Sequence, residues 1–551
     1  MPRLFKNGRI FTSVEGDSTL HDALVTDGDK VVYVGTGAEA EAKAGASATV
    51  TDLGGAVVLP GLIDGHIHLV QFGSALSKVE CLGLSADEIA AAIKKAYDAN
   101  PGAKMIHGKS FLYDALGQPP HRKFLDAVVP DVPVFIASMD LHATLLNTAA
   151  INALGITRDT PNPKGGEFVR DADGELTGHF LETANFEFVW PWIAKNTSLE
   201  DRLIALEDAF ENMLASGLTG GIEMALSPED LEAIEEYIKR NGKLPVRISA
   251  HWFMRPEGTD ESRADQVREA AAQRDRCAKY DPWFRVVGIK VISDGVVDSC
   301  TAFLKEPYPN GDLPGPIWPG PELTKVVVLA DELDLQVAVH ALGDAASEQA
   351  LDAFEAAIAA NGDKPHRRHR IEHLEVVTEE SVKRLTRLGV TASLQPVHAD
   401  PLYAKNWWEQ LGADARCDRA FPWSEFVEAG SKVAFGSDAP VAPHHALPNI
   451  YTAGTRQSSV DPSLKPSTDP RIVGLERFCV ALDQSIRYYT SGCAQSIRAE
   501  NEVGTLEPGK QADFCVLNVD PFKNGVETLK QAQSAVTETW VAGEQAWKAK
   551  K

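Results

Sequence analysis

Apolar and polar residues alternate over the first 60 positions. LFKNGRIFT, HDALVTDGDKVVYVG and ATVTDLGGAVVLPG read as short strands, with Asn-Gly and Asp-Gly as turn signals. The C-terminal stretches ADFCVLNVDP and AVTETWVAGEQAW have the same texture. Two strand-rich ends around a long mixed middle suggest that the termini meet in one small β domain, the alternative being that the two ends fold separately. In the middle the pattern changes. LEDAFENMLASGLTGGIEM reads as helix, glycine stop, strand; LTKVVVLADELDLQVAVHALGD reads as helix, polar break, buried strand; SVKRLTRLGVTASLQP and WSEFVEAGSKVAFGSDAP repeat the first order. Each helix leads into a short Val/Ala/Ile-rich run without polar alternation, the pattern of strands buried on both faces. Serial units of this kind predict an α/β fold, either a TIM barrel or a doubly wound sheet. Residues from about 70 to 200 break the rhythm with Gly-, Pro- and aromatic-rich loops such as GKSFLYDALGQPP, and read as an insertion on the barrel.

Length and charge narrow the class. The 551 residues allow two to four domains, or one large barrel with attachments. Lys plus Arg number 54 against 78 Asp plus Glu, a net charge of −24. Such a chain repels phosphate backbones, so no nucleic-acid partner is expected. No window approaches 18 uncharged apolar residues, and the opening MPRLFKNGRIFTSVEGD lacks the apolar core of a secretory leader, so neither a membrane span nor export is expected. Seven scattered cysteines without a C-x-x-C read as buried thiols in a reducing, cytoplasmic compartment. Gly35-Thr36-Gly37 fits the start of a dinucleotide fingerprint. The helix after it can run only about two turns before Gly45, so a plain surface turn is the better reading.

The candidate chemistry lies at strand ends. His66 and His68 in LPGLIDGHIHLV are two apart, and on a strand residues i and i+2 share a face. LQVAVHALGD ends in His340, HRRHRIEHLEVV carries His373, and KVAFGSDAPV carries Asp438. The C-terminal strand ends of a parallel barrel meet at one face, where these residues would converge. Each alone has an ordinary reading: His340 a core histidine, His373 a partner for Glu372, Asp438 the cap of a turn. The ordered set is harder to dismiss. His142 and His398 follow strand-like runs and could face substrate. Phe111 and His142, in the insertion, are expected to wall a partly apolar pocket. His444 and His445 could flank the mouth, and His366-Arg367-Arg368-His369-Arg370 reads as a solvated strand entry rather than an anion site.

The frame LPGLIDGHIH, the later HALGD, RIEH and GSDAP, and the closing VGTLEPGKQADFCVLN resemble the amidohydrolase superfamily in the same order. KNGRIFT, GGEFVRDADGELTG and GIKVISDGVVDSCTA resemble more narrowly its amidohydrolase 3 branch, which includes N-substituted formamide deformylase-like and N-acyl-amino-acid-hydrolysing members. The resemblance implies a TIM (β/α)8 barrel over about 59–480 and a β-sandwich built from residues 1–58 and 481–551. It implies His66, His68, His340, His373 and Asp438 as metal ligands, with Asp438 also the catalytic proton shuttle. Lys290 matches the lysine that is carboxylated in two-metal members. Within its apolar run VVGIKVI a bare ammonium would be costly, and the alternative is an ion pair with Asp294 or Asp298. One or two divalent ions are implied, zinc fitting the donors best. The expected function is hydrolysis of a C–N bond, other than a peptide bond, in an N-acyl or N-formyl amine or amino acid, by attack of a metal-bound hydroxide. A lactonase or ester hydrolase using the same site, and a non-catalytic scaffold, are the alternatives. The partner is a small-molecule substrate, with a homodimer as a possible assembly.

Overall fold

The computed structural model describes residues 2–100, 102–113, 115–139, 141–163, 166–412, 415–466 and 473–550. It divides into two compact units, one of Met1–Leu69 with Ala209–Lys551, the other of Val70–Asp208.

The first unit holds eight parallel strands: β1 (Leu62–Ile67), β2 (Leu218–Leu226), β3 (Arg247–Phe253), β4 (Phe284–Ile292), β5 (Gln336–Ala341), β6 (Arg370–His373), β7 (Thr391–Leu394) and β8 (Lys432–Phe435). Neighbours in sequence are neighbours in the sheet. The two ends rejoin just past β8. Ile67 bridges to Ala439, Asp438 N–H donates to the His66 carbonyl (2.7 Å), and His68 N–H donates to the Ala439 carbonyl (2.9 Å). The sheet is therefore a barrel and not an open doubly wound sheet. Helices follow the strands, as in Pro228–Asn241 after β2, Asp260–Cys277 after β3 and Glu379–Arg387 after β6. Ser227, Thr259 and Thr378 start these three by accepting the backbone N–H of Asp230, Ser262 and Ser381, groups that a helix N-terminus leaves unpaired.

Both termini share one eight-stranded sheet: Phe514–Leu517 runs antiparallel to Val57–Pro60, which in turn pairs with Arg3–Phe11. The Phe5 and Trp540 ring centroids are 5.1 Å apart, though two strands lie between theirs. A flat sheet would hold those strands about 14 Å apart. The sheet is thus curled round an aromatic core of Phe5, Phe514 and Trp540. Asp27-Gly28 makes the expected turn, but Asn7-Gly8 does not. Asn7 takes a left-handed φ of 59° inside strand Arg3–Phe11, where the pairing register slips. The signal marks a bulge. At Gly35-Thr36-Gly37 the short helix Gly37–Ala44 begins against carboxylates: Asp22 accepts from Gly37 N–H (2.9 Å) and Glu39 from the Thr36 hydroxyl (2.8 Å). Those charges repel a pyrophosphate.

The second unit has its own six-stranded sheet, in the order Gly166–Arg170, Leu176–Glu182, Ala143–Leu146, Val134–Ser138, Ile106–Phe111, Val79–Glu80. Val134 and Ile136 face one core and Phe135 the other, so both faces are packed. The expected loops are in part strands, paired too remotely for local alternation to show. Among the described residues no helix is long and apolar enough to cross a membrane.

Candidate metal centre

The barrel interior is charged where most cores are apolar. Asp64, on β1, accepts from the backbone N–H of His66 (3.1 Å) and Ser437 (2.9 Å) and from the Ser437 hydroxyl (2.6 Å). Burial pushes its carboxyl up to about 6. This carboxylate rivets the turn after β8 to β1. Gly436 makes the approach possible, because a Cβ there would overlap the backbone nitrogen of His66. Gly436→Ala should therefore spread β1 from β8, costing about 1–3 kcal/mol as an overpacked contact. Thermal denaturation of the purified variant checks this, and an unchanged midpoint would mean the barrel seam yields freely.

The turn delivers Asp438 to the mouth at a left-handed φ of 60°. Its carboxylate lies among four imidazoles. Oδ1 is 3.3 Å from His66 Nε2 and 3.0 Å from His68 Nε2. Oδ2 is 3.6 Å from His398 Nε2 and 4.0 Å from His373 Nδ1. His340 continues the cluster, its ring centroid 4.5 Å from that of His373. Its Nε2 is 3.3 Å from the Gly295 carbonyl and 3.7 Å from Asp294. Burial pushes the His340 imidazole down to about 3, aided by the Lys290 charge. For Asp438 burial acts upward, but the adjacent histidines outweigh it and hold the carboxyl well below the usual range.

Lys290 is 2% exposed. Burial lowers its ammonium to about 8, although Glu372 and Asp438 pull the other way. Among the described residues it forms no ion pair with Asp294 or Asp298. Asp294 instead accepts the backbone N–H groups of Leu342, Gly343 and Phe303 at 2.9–3.1 Å.

Two carboxylates that the sequence reading did not place in the site stand behind the histidines, and one of them, Glu372, pairs with His66 rather than with His373. Glu372 Oε2 is 2.7 Å from His66 Nδ1, and Glu375 Oε1 is 3.1 Å from His398 Nδ1. The Trp407 indole N–H donates to the other Glu375 oxygen (2.9 Å). Burial pushes the Glu372 carboxyl up, but the Arg370 charge and the His66 hydrogen bond prevail and hold it well below the usual range. Alternation could have found Glu372, since Arg370 and Glu372 share the inward face of β6. It could not have placed His373 beside them. His373 and Leu374 take φ of 78° and 52°, turning the chain out of strand geometry. The basic run is also corrected. His369 and Arg370 are buried, and Arg367 and His369 share Asp331 at 2.7 and 3.0 Å. Buried carboxylates meet Arg367, His369 and Arg370 where solvent was expected, while His366 is exposed.

Of the remaining candidates, His444 and His445 both lie about 3 Å from the Ser216 hydroxyl. Phe111 is fully buried in the core of the second unit and offers substrate no open surface. His142, in the same unit, pairs with Glu182 at 2.8 Å.

The donor set suits a cation. Ligand atoms of His66, His68 and Asp438 lie within 4.8 Å of one another, as do those of His373, Glu375 and His398. Among the described residues, His66 Nε2, His373 Nδ1, His398 Nε2 and Asp438 Oδ1 are buried without a hydrogen-bond partner. Unpaired buried acceptors of this kind are costly unless something electropositive meets them. Imidazole nitrogens and carboxylate oxygens are ligands for zinc and its neighbours.

The model of the amidohydrolase family matches residues 49–546. The chain is 30% identical to Protein LONG AFTER FAR-RED 3 of Arabidopsis thaliana, over 98% of this chain and 91% of that protein. It is 26% identical to the N-substituted formamide deformylase of Arthrobacter pascens, over 96% of each. The crystal structure of an uncharacterized metal-dependent hydrolase from Pyrococcus furiosus superposes with a TM-score of 0.75 at 28% identity, covering 95% of this chain and all of that one.

Proposed function

The chain belongs to the amidohydrolase family, and from that premise we propose that it is a metal-dependent hydrolase cleaving the C–N bond of an N-acyl or N-formyl amine or amino acid. The observation that carries the reading is the Asp438 carboxylate flanked by His66, His68, His373 and His398, with ligand atoms left unpartnered around it. His66, His68 and Asp438 would hold one divalent ion, with zinc the best match. Lys290, His340 and His373 are the candidates for a second. The chemistry such ions supply when bound is polarisation of a carbonyl and acidification of water.

The chain's own groups do the rest. Asp438 Oδ1 faces the His66 and His68 side, which leaves Oδ2 to take a proton from the attacking water and return it to the leaving nitrogen. An amine departs poorly as an anion, so this return is what amide cleavage needs. His398, held by Glu375 and 3.6 Å from Oδ2, would contact the substrate. Seven free thiols support a reducing, cytoplasmic setting.

Elemental analysis of chelator-free protein, followed by a screen of N-acyl amino acids, N-formyl amines, cyclic amides and lactones, tests the reading. Turnover of an amide with one or two ions per chain is the expected result. Turnover of lactones alone moves the activity to C–O bonds, and bound metal without turnover of any class points to a scaffold.

Lys290 gives a separate test. Buried, and among the described residues in no ion pair with Asp294 or Asp298, it is suited to carboxylation into an oxygen ligand. Lys290→Ala should lose the second ion and recover it in part with added short-chain carboxylic acids. Unchanged stoichiometry by plasma emission spectrometry would leave Lys290 out of the site.

A further inference from the structure

We infer that Glu372 is a positioning residue for His66, fixing which ring nitrogen faces the metal, and that Arg370 holds Glu372 in place. The inference rests on the metal-dependent reading above and adds a residue that is not itself a ligand. Glu372 Oε2 and His66 Nδ1 are 2.7 Å apart across 306 positions of sequence, and both side chains are buried. A neutral imidazole has one N–H and one lone pair. The carboxylate can only accept, so the proton belongs on Nδ1. The lone pair is then on Nε2, the unpartnered atom 3.3 Å from Asp438 Oδ1. The other tautomer would set a lone pair against Glu372 at 2.7 Å, a hydrogen-bond distance with no room for an ion, whereas the Nε2 lone pair and Asp438 Oδ1 would both be met by the cation the site would hold.

Arg370 anchors the arrangement on three strands. Its Nε donates to Glu372 Oε1 (2.5 Å) and its Nη2 to Glu372 Oε2 (3.1 Å). Nη2 also reaches Ser393 Oγ on β7 (2.6 Å) and the carbonyl of Gly65 on β1 (2.6 Å), the residue before His66. Nη1 donates to Ser496 Oγ (3.2 Å). The guanidinium is fully buried. Carboxylate and histidine backbone are thus tied to one rigid fork, which fixes the ring plane as well as the tautomer. The same device recurs with Glu375 and His398, whose Nε2 is likewise unpartnered and faces Asp438.

The test measures zinc affinity of the full-length protein by competition with a chromogenic chelator. Glu372→Gln should bind zinc about 10–100-fold more weakly, the usual effect of removing a carboxylate behind a ligating histidine. Because that variant strands the Arg370 charge, the double variant R370L/E372L is measured beside it, with circular dichroism to show that it is folded. A merely structural ion pair would be replaced by the two leucines and the affinity would return. A positioning role predicts that the folded double variant stays about 10–100-fold weaker. Wild-type affinity in the double variant, or in Glu372→Gln, overturns the inference and leaves the hydrolase reading standing. A wild-type protein that binds no zinc overturns both.

Discussion

Asparagine in place of Asp438 is expected to lower turnover by about 10²–10⁴-fold, the range general acid–base catalysis contributes. The substitution keeps the size of the side chain and one oxygen that can serve as a ligand. It removes the proton acceptor. On the proposed reading Asp438 would have both duties, its Oδ1 lying toward His66 and His68 and its Oδ2 toward His373 and His398. Metal content should therefore fall far less than in His66→Ala, which removes a ligand nitrogen outright. Steady-state kinetics with elemental analysis on the same preparations separates the two effects. Near-normal turnover in Asp438→Asn would transfer the proton to another group, with His398 the first to examine because its Nε2 is 3.6 Å from the same carboxylate.

Arg370→Met is expected to be among the most destabilising single changes in the barrel, at about 3–5 kcal/mol. Methionine leaves the Glu372 carboxylate in a dry interior without its cation, and removes the donors held by Ser393, Ser496 and the Gly65 carbonyl. The penalty comes from breaking the pair rather than from the pair's intrinsic worth, since replacing both buried charges by apolar groups is often close to neutral. Urea unfolding of the metal-free variant measures it, with R370L/E372L as the reference that should lie much nearer to wild type. A loss below about 1 kcal/mol, the scale of an exposed ion pair, would show that water reaches Glu372.

Much of this arrangement can be read from one sequence. Glycine stops between helical and Val/Ala/Ile-rich runs mark β2, β7 and β8, and a short Asp-containing break marks β5, because strands buried on both faces leave no polar alternation to confuse them. Histidine and aspartate at the ends of such runs are conspicuous for the same reason. Other features depend on contacts that local pattern does not carry. His373 would face away from Glu372 on a regular strand, and only its left-handed backbone brings it to the mouth. Glu372 and Glu375 look like ordinary polar neighbours until His66 closes on the first from 306 positions away and His398, 23 positions on, closes on the second. In the same way the basic run before β6 looks solvated until Asp331 is seen to lie between Arg367 and His369. The sheet of the second unit was hidden because Ala143–Leu146 and Leu176–Glu182 pair across a 29-residue gap.

The sheet shared by the two termini sets a timetable for biosynthesis. Val58 takes as its neighbour Val516, which leaves the ribosome 458 residues later. At about 5–20 residues per second the interval is roughly 25–90 seconds. Throughout it, strand Val57–Pro60 has an open edge, and Phe5 waits for the rings of Phe514 and Trp540. An unpaired apolar edge of that duration invites pairing with another nascent chain on the same message. The vulnerable species is thus a nascent polypeptide whose β1 to β8 are already synthesised while one edge of strand Val57–Pro60 still waits for Phe514–Leu517.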